Sequence, residues 1–280
     1  GTVRGRVVGA YQDKNSFTDA YSNKRQLLYG ISEFDLAPAT MLTLGGYYNR
    51  EDNPGADWNG IPTRADGSFL PVSRASRFSP AWTYWDKENQ SVFAEVEHRF
   101  DNDWKLHVAG SSSTLNGEFS GSYLSRYAGP LETTAYQSHH TDKQHAFDGF
   151  ASGPFEAFGR THELVVGASN RVYDATSKEY DPYTTAWPIG APKPNFVRDG
   201  KTRSVTTQDA VYLTTRLSLA DPLTLILGSR LDWYDYDDRT TDGDYKITST
   251  LKRYAGLIYK LDDHHSDYAS YTDVFTPQTN

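Results

Sequence analysis

The chain has no cysteine and a single methionine. A disulfide framework and a thiolate metal site are therefore excluded. No stretch approaches the roughly 18 consecutive apolar residues of a membrane-crossing helix. Positive charge is not in excess: 28 Lys and Arg against 36 Asp and Glu give a net charge of −8. That balance excludes a phosphate-tracking surface, so nucleic acid is not an expected partner. Apolar residues are scarce at 37%, and the mean hydropathy is −0.67. A chain this polar does not fill a conventional two-sheet core. The usual catalytic signatures are missing as well. Val166 stands where His162-Glu163 would need a second metalloprotease histidine, and there is no serine elbow or phosphate-binding Gly-Lys loop. The acidic stretch Asp232–Asp244 carries Arg239 where an EF-hand needs an oxygen ligand, so it reads as a solvated loop. No catalytic residue, resident cofactor or metal site is expected.

What the chain does have is aromatic residues and period-two alternation. There are 20 Tyr, 13 Phe and 6 Trp in 280 residues. A polar average with many aromatics suits a wet-centred barrel girdled at two interfaces, and equally a secreted glycan-binding β domain. Leu223, Leu225, Leu227, Leu231 and Trp233 share one parity against Thr224, Gly228, Arg230 and Asp232. Val211, Leu213, Leu217 and Leu219 oppose Tyr212, Thr214 and Arg216, and Val92, Ala94 and Val96 oppose Glu95, Glu97 and Arg99. Successive strand residues point to opposite faces, so each stretch has one apolar and one polar face.

About eleven strands are expected, over 2–13, 25–35, 41–51, 88–100, 104–116, 139–156, 161–175, 201–219, 223–236, 247–261 and 267–275. Short turns fall at Leu36–Thr40, Asp101–Asp103, Ala157–Arg160, Ala220–Pro222 and Asp262–Ser266. Longer connections alternate with them: Lys14–Lys24, Asp52–Lys87, Gly117–Ser138, Thr176–Gly200 and Asp237–Lys246. An up-and-down barrel places all connections of one parity on one side of its membrane, and bacterial outer-membrane barrels keep one side short. A soluble sandwich has no reason to sort loops this way. The expected fold class is all-β: an antiparallel up-and-down transmembrane β-barrel, here partial. An odd strand count does not close such a barrel, so strands are expected beyond residues 1–280. In water the open edges would aggregate.

Four segments carry a resemblance. They are Asn59-Gly-Ile-Pro-Thr-Arg-Ala-Asp-Gly-Ser-Phe69; Trp82-Thr-Tyr-Trp-Asp86 leading into Ser91-Val-Phe-Ala-Glu-Val-Glu-His98; Gly153-Pro-Phe-Glu-Ala-Phe-Gly-Arg-Thr-His-Glu-Leu-Val-Val-Gly-Ala168; and Tyr268-Ala-Ser-Tyr-Thr-Asp-Val-Phe-Thr-Pro-Gln278. Together and in this order they resemble the TonB-dependent ferric-siderophore receptors, on the pyoverdine, coprogen and ferrioxamine branch. The resemblance implies an outer-membrane receptor of a Gram-negative bacterium that takes up ferric siderophores without making or breaking bonds in them. It implies three partners: the ferric siderophore, the TonB energy-coupling protein and outer-membrane lipid. Residues 1–280 would be a first part of the barrel domain, with the plug domain and later strands absent. A passive porin and a secreted glycan-binding β protein are the alternatives.

Aromatic rings offer a flattened chelate rigid contact area at low entropy cost, and guanidinium groups pair with its oxygens. Trp82, Tyr84, Trp85, Arg74, Tyr127 and Trp187 are the candidate ligand contacts. Trp58, Tyr123, Tyr183, Arg64, Arg77 and Arg126 form a wider circle around them. His139, His140 and His145 form a polar cluster of candidate metal donors, of a kind that more often ligates nothing, and Glu95 and Glu97 are expected on the wet face of one strand.

Overall fold

A computed structural model describes residues 2–59, 61–125, 132–180 and 192–275. Eleven strands follow one another: β1 (Val3–Asn15), β2 (Ser22–Ala37), β3 (Thr40–Asp52), β4 (Tyr84–Arg99), β5 (Lys105–Ser125), β6 (Glu132–Ala157), β7 (Arg160–Tyr180), β8 (Arg198–Ala220), β9 (Leu223–Asp238), β10 (Tyr245–Lys260) and β11 (Ser266–Thr272). They form one sheet in chain order, each strand antiparallel to the next. Short connections sit at one end of the sheet and long ones at the other, as the alternation of loop lengths predicts.

Register brings the apolar residues of neighbouring strands side by side. Leu42 pairs with Val96, Val96 with Val108, Val166 with Leu213, and Leu217 with Leu225, which in turn faces Leu257. Among the described residues no second sheet covers them: Val211 is 47% exposed and Leu213 42%. A face-packed sandwich would have buried both. The opposite face carries Thr43, Glu95, Glu97, His107, Asp148, Gln208, Tyr212 and Arg230.

The polar face is the concave one. On it, side chains reach across an intervening strand. The Tyr212 hydroxyl on β8 donates to Asp148 on β6 at 3.0 Å, and Arg230 on β9 donates to Ser169 on β7 at 3.1 Å. Tyr212 lies flat over Gly167 of the strand between; a Cβ there would stand 2.5 Å from its ring. Such reach needs walls that converge, which is the inside of a barrel. The exposed apolar face is then the lipid face.

That outer face changes character along the strands. On β4 it runs Val96, Ala94, Val92, then Gln90, Glu88 and Asp86; on β6, Ala151, Gly149, Phe147, then His145, Lys143 and Thr141. About ten residues from the short-turn end the greasy surface stops. That length matches the 9–11 residues with which a tilted strand crosses hydrocarbon. β6 is 26 residues long and continues well beyond it.

The strands therefore outrun their expected limits at the long-loop end. β5 continues to Ser125 and β6 starts at Glu132, inside what reads as a loop over Gly117–Ser138. Above the bilayer both faces are wet, so the alternation that marks a strand disappears. His139, His140 and His145 lie on β6, within the strand expected over 139–156. His139 and His145 share the outer face and His140 points to the lumen, so they do not form one site. Asp232–Asp238 likewise belongs to β9. Tight turns close the other end. Phe158 and Gly159 both have positive φ, 52° and 72°, as a two-residue turn between right-twisted strands requires.

Candidate ligand-binding rim

Among the described residues most of the buried ones gather at the long-loop end, and only Thr43, Ala210 and His162 are buried in the lower wall. Ala56, Asn53, Ser79, Thr83, Phe119, Ser120, Ser122, Thr133 and Ala135 are all buried there. The connection between β3 and β4 folds down onto the upper ends of β5 and β6. Its base is clasped by Asn53, whose side-chain amide donates to the Trp85 carbonyl at 2.7 Å and whose N–H donates to Asp86 at 2.8 Å. Gly55 N–H donates to the Thr83 carbonyl at 2.7 Å.

Asp57 is the hub of the fold-back. It accepts hydrogen bonds from the N–H groups of Phe78 and Asn59, the Asn59 amide and the Ser79 hydroxyl, at 2.6–2.9 Å. Asn59 in turn accepts the Leu124 N–H of β5 at 2.5 Å. Burial pushes the Asp57 carboxyl up, but these four donors outweigh it and hold the group below the usual carboxylate range.

The hub places Trp58 on the lumen side. Its ring stacks on Phe119 at 4.0 Å and meets the edge of Trp85 at 5.0 Å. Tyr136 stands beside Phe119 at 5.9 Å. Trp58 is still 55% exposed, because only one of its faces is covered. One register step below runs a charged row: Arg25 pairs with Glu51, and Glu51 with Lys87. Arg25 and Glu51 are 3.3 Å apart, and the Lys87 ammonium lies 3.7 Å from the Trp85 ring centre. Tyr21, Arg25, Glu51, Asp57, Trp58, Trp85 and Lys87 line a cavity of about 340 Å³.

The six candidates named from sequence do not gather here. Trp85 does. Tyr84, one residue before it, points to the outer face, where Lys193 lies 5.5 Å from its ring. Trp82 meets Phe196 edge-on at 6.0 Å. Arg74, on the same β3–β4 connection, lies over Phe17 of the β1–β2 loop, 5.7 Å from its ring. Tyr127 and Trp187 lie outside the described residues, as do Tyr183 and Arg126. Arg64 holds its own loop tip through Ser68 and the Phe69 carbonyl. Tyr123 lies on β5, half exposed on the lumen face. Arg25, Glu51 and Lys87 give no signal in the sequence: a polar residue on a wet face is ordinary, and only strand register unites them.

With this geometry in hand, relatives decide the family. The family described as "TonB dependent receptor-like, beta-barrel" matches residues 42–280. The chain belongs to the TonB-dependent receptor β-barrel family. It is 36% identical to the ferripyoverdine receptor of Pseudomonas aeruginosa strain PAO1 over 301 residues, covering 99% of this chain and 36% of that protein. It is 34% identical to the ferric-pyoverdine M114 receptor of Pseudomonas sp. strain M114, over 99% of this chain and 37% of that protein. The crystal structure of the ferripyoverdine receptor of the outer membrane of P. aeruginosa bound to ferripyoverdine superposes with a TM-score of 0.91 at 33% identity. The match covers 99% of this chain and 39% of that one. The receptor barrel described here thus spans little more than a third of the length of its relatives, and it is an outer-membrane barrel of Gram-negative type. Its family is one of transport receptors rather than enzymes.

Proposed function

We propose that this barrel segment is part of a receptor that captures a ferric siderophore of the pyoverdine type at its extracellular rim. The one observation that carries the reading is Trp58: its back is fixed on Phe119, its front is open to the lumen, and Trp85 and Lys87 stand beside it. A flat chelate needs a rigid apolar platform bordered by charge, and the Arg25–Glu51–Lys87 row supplies that border. The names of the relatives point to the same ligand class. In this reading residues 1–280 belong to a longer polypeptide with a plug domain before them and further strands after them. Uptake is driven through the TonB protein acting on that plug. The receptor binds and passes its cargo without chemistry on it, and outer-membrane lipid surrounds the apolar band. The iron is cargo, held by the siderophore and not by side chains of the rim.

The test is equilibrium binding of a ferric pyoverdine to the full-length receptor in detergent, read by quenching of receptor fluorescence. Trp58→Ala and Trp85→Ala each weaken binding by about 1–3 kcal/mol, the range of an aromatic anchor. Tyr84→Ala, on the other face of the same strand, leaves affinity within about 0.5 kcal/mol, as expected away from a contact. Unchanged affinity in both Trp variants overturns the site. Loss only in Tyr84→Ala moves it to the outer face.

A further inference from the structure

The structure assigns a second, chemically different site deep in the lumen: we propose that Glu95, Glu97 and His107 bind a divalent transition-metal ion such as Zn²⁺. This inference is independent of the ligand assigned to the rim.

Glu95 and Glu97 are two residues apart on β4, so both carboxylates project from the lumen face. Register sets His107 of β5 directly opposite Glu97. The His107 Nδ1 atom lies 3.4 Å from a Glu95 oxygen and 3.7 Å from a Glu97 oxygen. All three donor atoms fall within 4.8 Å of one another. Ligands held about 2.0–2.1 Å from a tetrahedral Zn²⁺ stand a little over 3 Å apart, so only small side-chain movements bring the three onto one ion. Ala109, opposite Glu95, has no bulk to block that approach. The imidazole is already oriented: its ring stacks on Phe150 of β6 at 4.8 Å and 21°.

The local charge calls for a cation. Among the described residues, the ion pairs made by both glutamates are with His107, whose own charge depends on protonation. On the same face, β3 offers Thr43 and Met41, which are neutral. Asp148 on β6 adds a further negative charge deeper in the lumen wall. Of the cations on this face, Arg4 pairs with Glu33 and Asp35, Arg230 pairs with Asp232, Arg171 donates to Gln144, and Lys105 and Arg99 sit at the strand ends by the short turn. The donor set fits zinc and its neighbours better than magnesium, because an imidazole nitrogen replaces one oxygen. Three protein ligands leave at least one coordination position facing the lumen, open to water or to a donor from whatever segment fills the barrel.

The experiment uses full-length receptor in detergent, freed of metal by a chelator and then exchanged out of it. Titration calorimetry with Zn²⁺ gives a stoichiometry and an affinity. Co²⁺ serves as the optical probe, since its visible absorption reports coordination number and nitrogen ligation. One Zn²⁺ per receptor is expected, with affinity falling as pH drops and the donors protonate. E97Q, E95Q and H107A each weaken binding by at least about tenfold, the loss that even outer-shell changes cause. E97Q and E95Q preserve volume and hydrogen-bonding reach, and heat-modifiable gel migration confirms that each variant is folded. H139A/H140A and H264A/H265A, which remove the other histidine pairs, leave the affinity unchanged. The proposal is overturned by an absence of stoichiometric Zn²⁺ binding. It is equally overturned if binding survives in H107A, or if it disappears only when the other histidines are changed.

Discussion

Two regions of this receptor barrel are built on opposite principles. The lower wall, about ten residues deep above the short turns, buries almost nothing: its leucines and valines lie bare on one face and its charges line the other. The upper rim has a true core, in which Ala56, Phe119, Ala135 and a set of small hydroxyl residues are closed off by the fold-back of the β3–β4 connection. The wall borrows its apolar environment from lipid, and its backbone is satisfied strand to strand. The rim stands in water and must make its own interior, as a soluble domain does. The difference explains why the proposed ligand platform is at the rim. Only there can a tryptophan be fixed from behind by packing while its other face stays open.

The contrast breaks most visibly if the wrong face is charged. Leu213→Arg, midway along the apolar band, is expected to cost about 2–4 kcal/mol of stability, the depth-dependent penalty for arginine in hydrocarbon. Gln208→Arg, on the lumen face of the same strand, costs about 0–0.5 kcal/mol, as at an ordinary wet surface. Denaturant unfolding of the full-length receptor in lipid vesicles measures both. Equal costs would mean that the apolar band does not touch lipid.

The rim is sharpened by Asp57→Ala. Removing the carboxylate strands four donors, and the fold-back loses about 1–3 kcal/mol of local stability. Hydrogen exchange should speed up at Asn59, Phe78 and Leu124 while the amides of the lower wall keep their protection. Uniform loosening across both regions would show that they do not act as separate units.

Acid gives the smallest effect. The folded Asp57 carboxyl titrates below its unfolded value, so its contribution is complete above the unfolded pKa and is lost as pH falls through the folded one. The protection factors of the fold-back amides, taken relative to the intrinsic exchange rate at each pH, therefore fall on going from about pH 5 to about pH 3, in a way the Asp57→Ala variant no longer shows. A fall in the variant equal to the native one would assign the acid response to another group.

Much of this was legible beforehand. Eleven strands, their pairing order and the side with long loops follow from alternation and turn spacing. Within the bilayer the two faces of a strand meet opposite solvents, and Leu225 or Val211 cannot be mistaken for lumen residues. Legibility ends where that contrast ends. Glu118 and Ser120 of β5 and Thr134 of β6 read as loop because above the membrane both faces are polar. Of the six candidate contacts named from sequence, Trp85 alone among the described residues joins the Trp58–Phe119 cluster. Its neighbour Tyr84 looks the other way, and Trp58, named only in the wider circle, is the ring that Phe119 and Trp85 hold.

The sequence by itself determined the wall, because a strand's period and its solvents are local properties carried by consecutive residues. It determined the family as well, through segments that keep their order along the chain. The tertiary structure alone decided which residues come together at the proposed sites. Arg25, Glu51 and Lys87 come from three strands, Trp58 and Phe119 are 61 residues apart, and Glu97 meets His107 only across a register. Contacts of that kind are fixed by how strands align and where a loop folds back, which no single stretch of chain encodes.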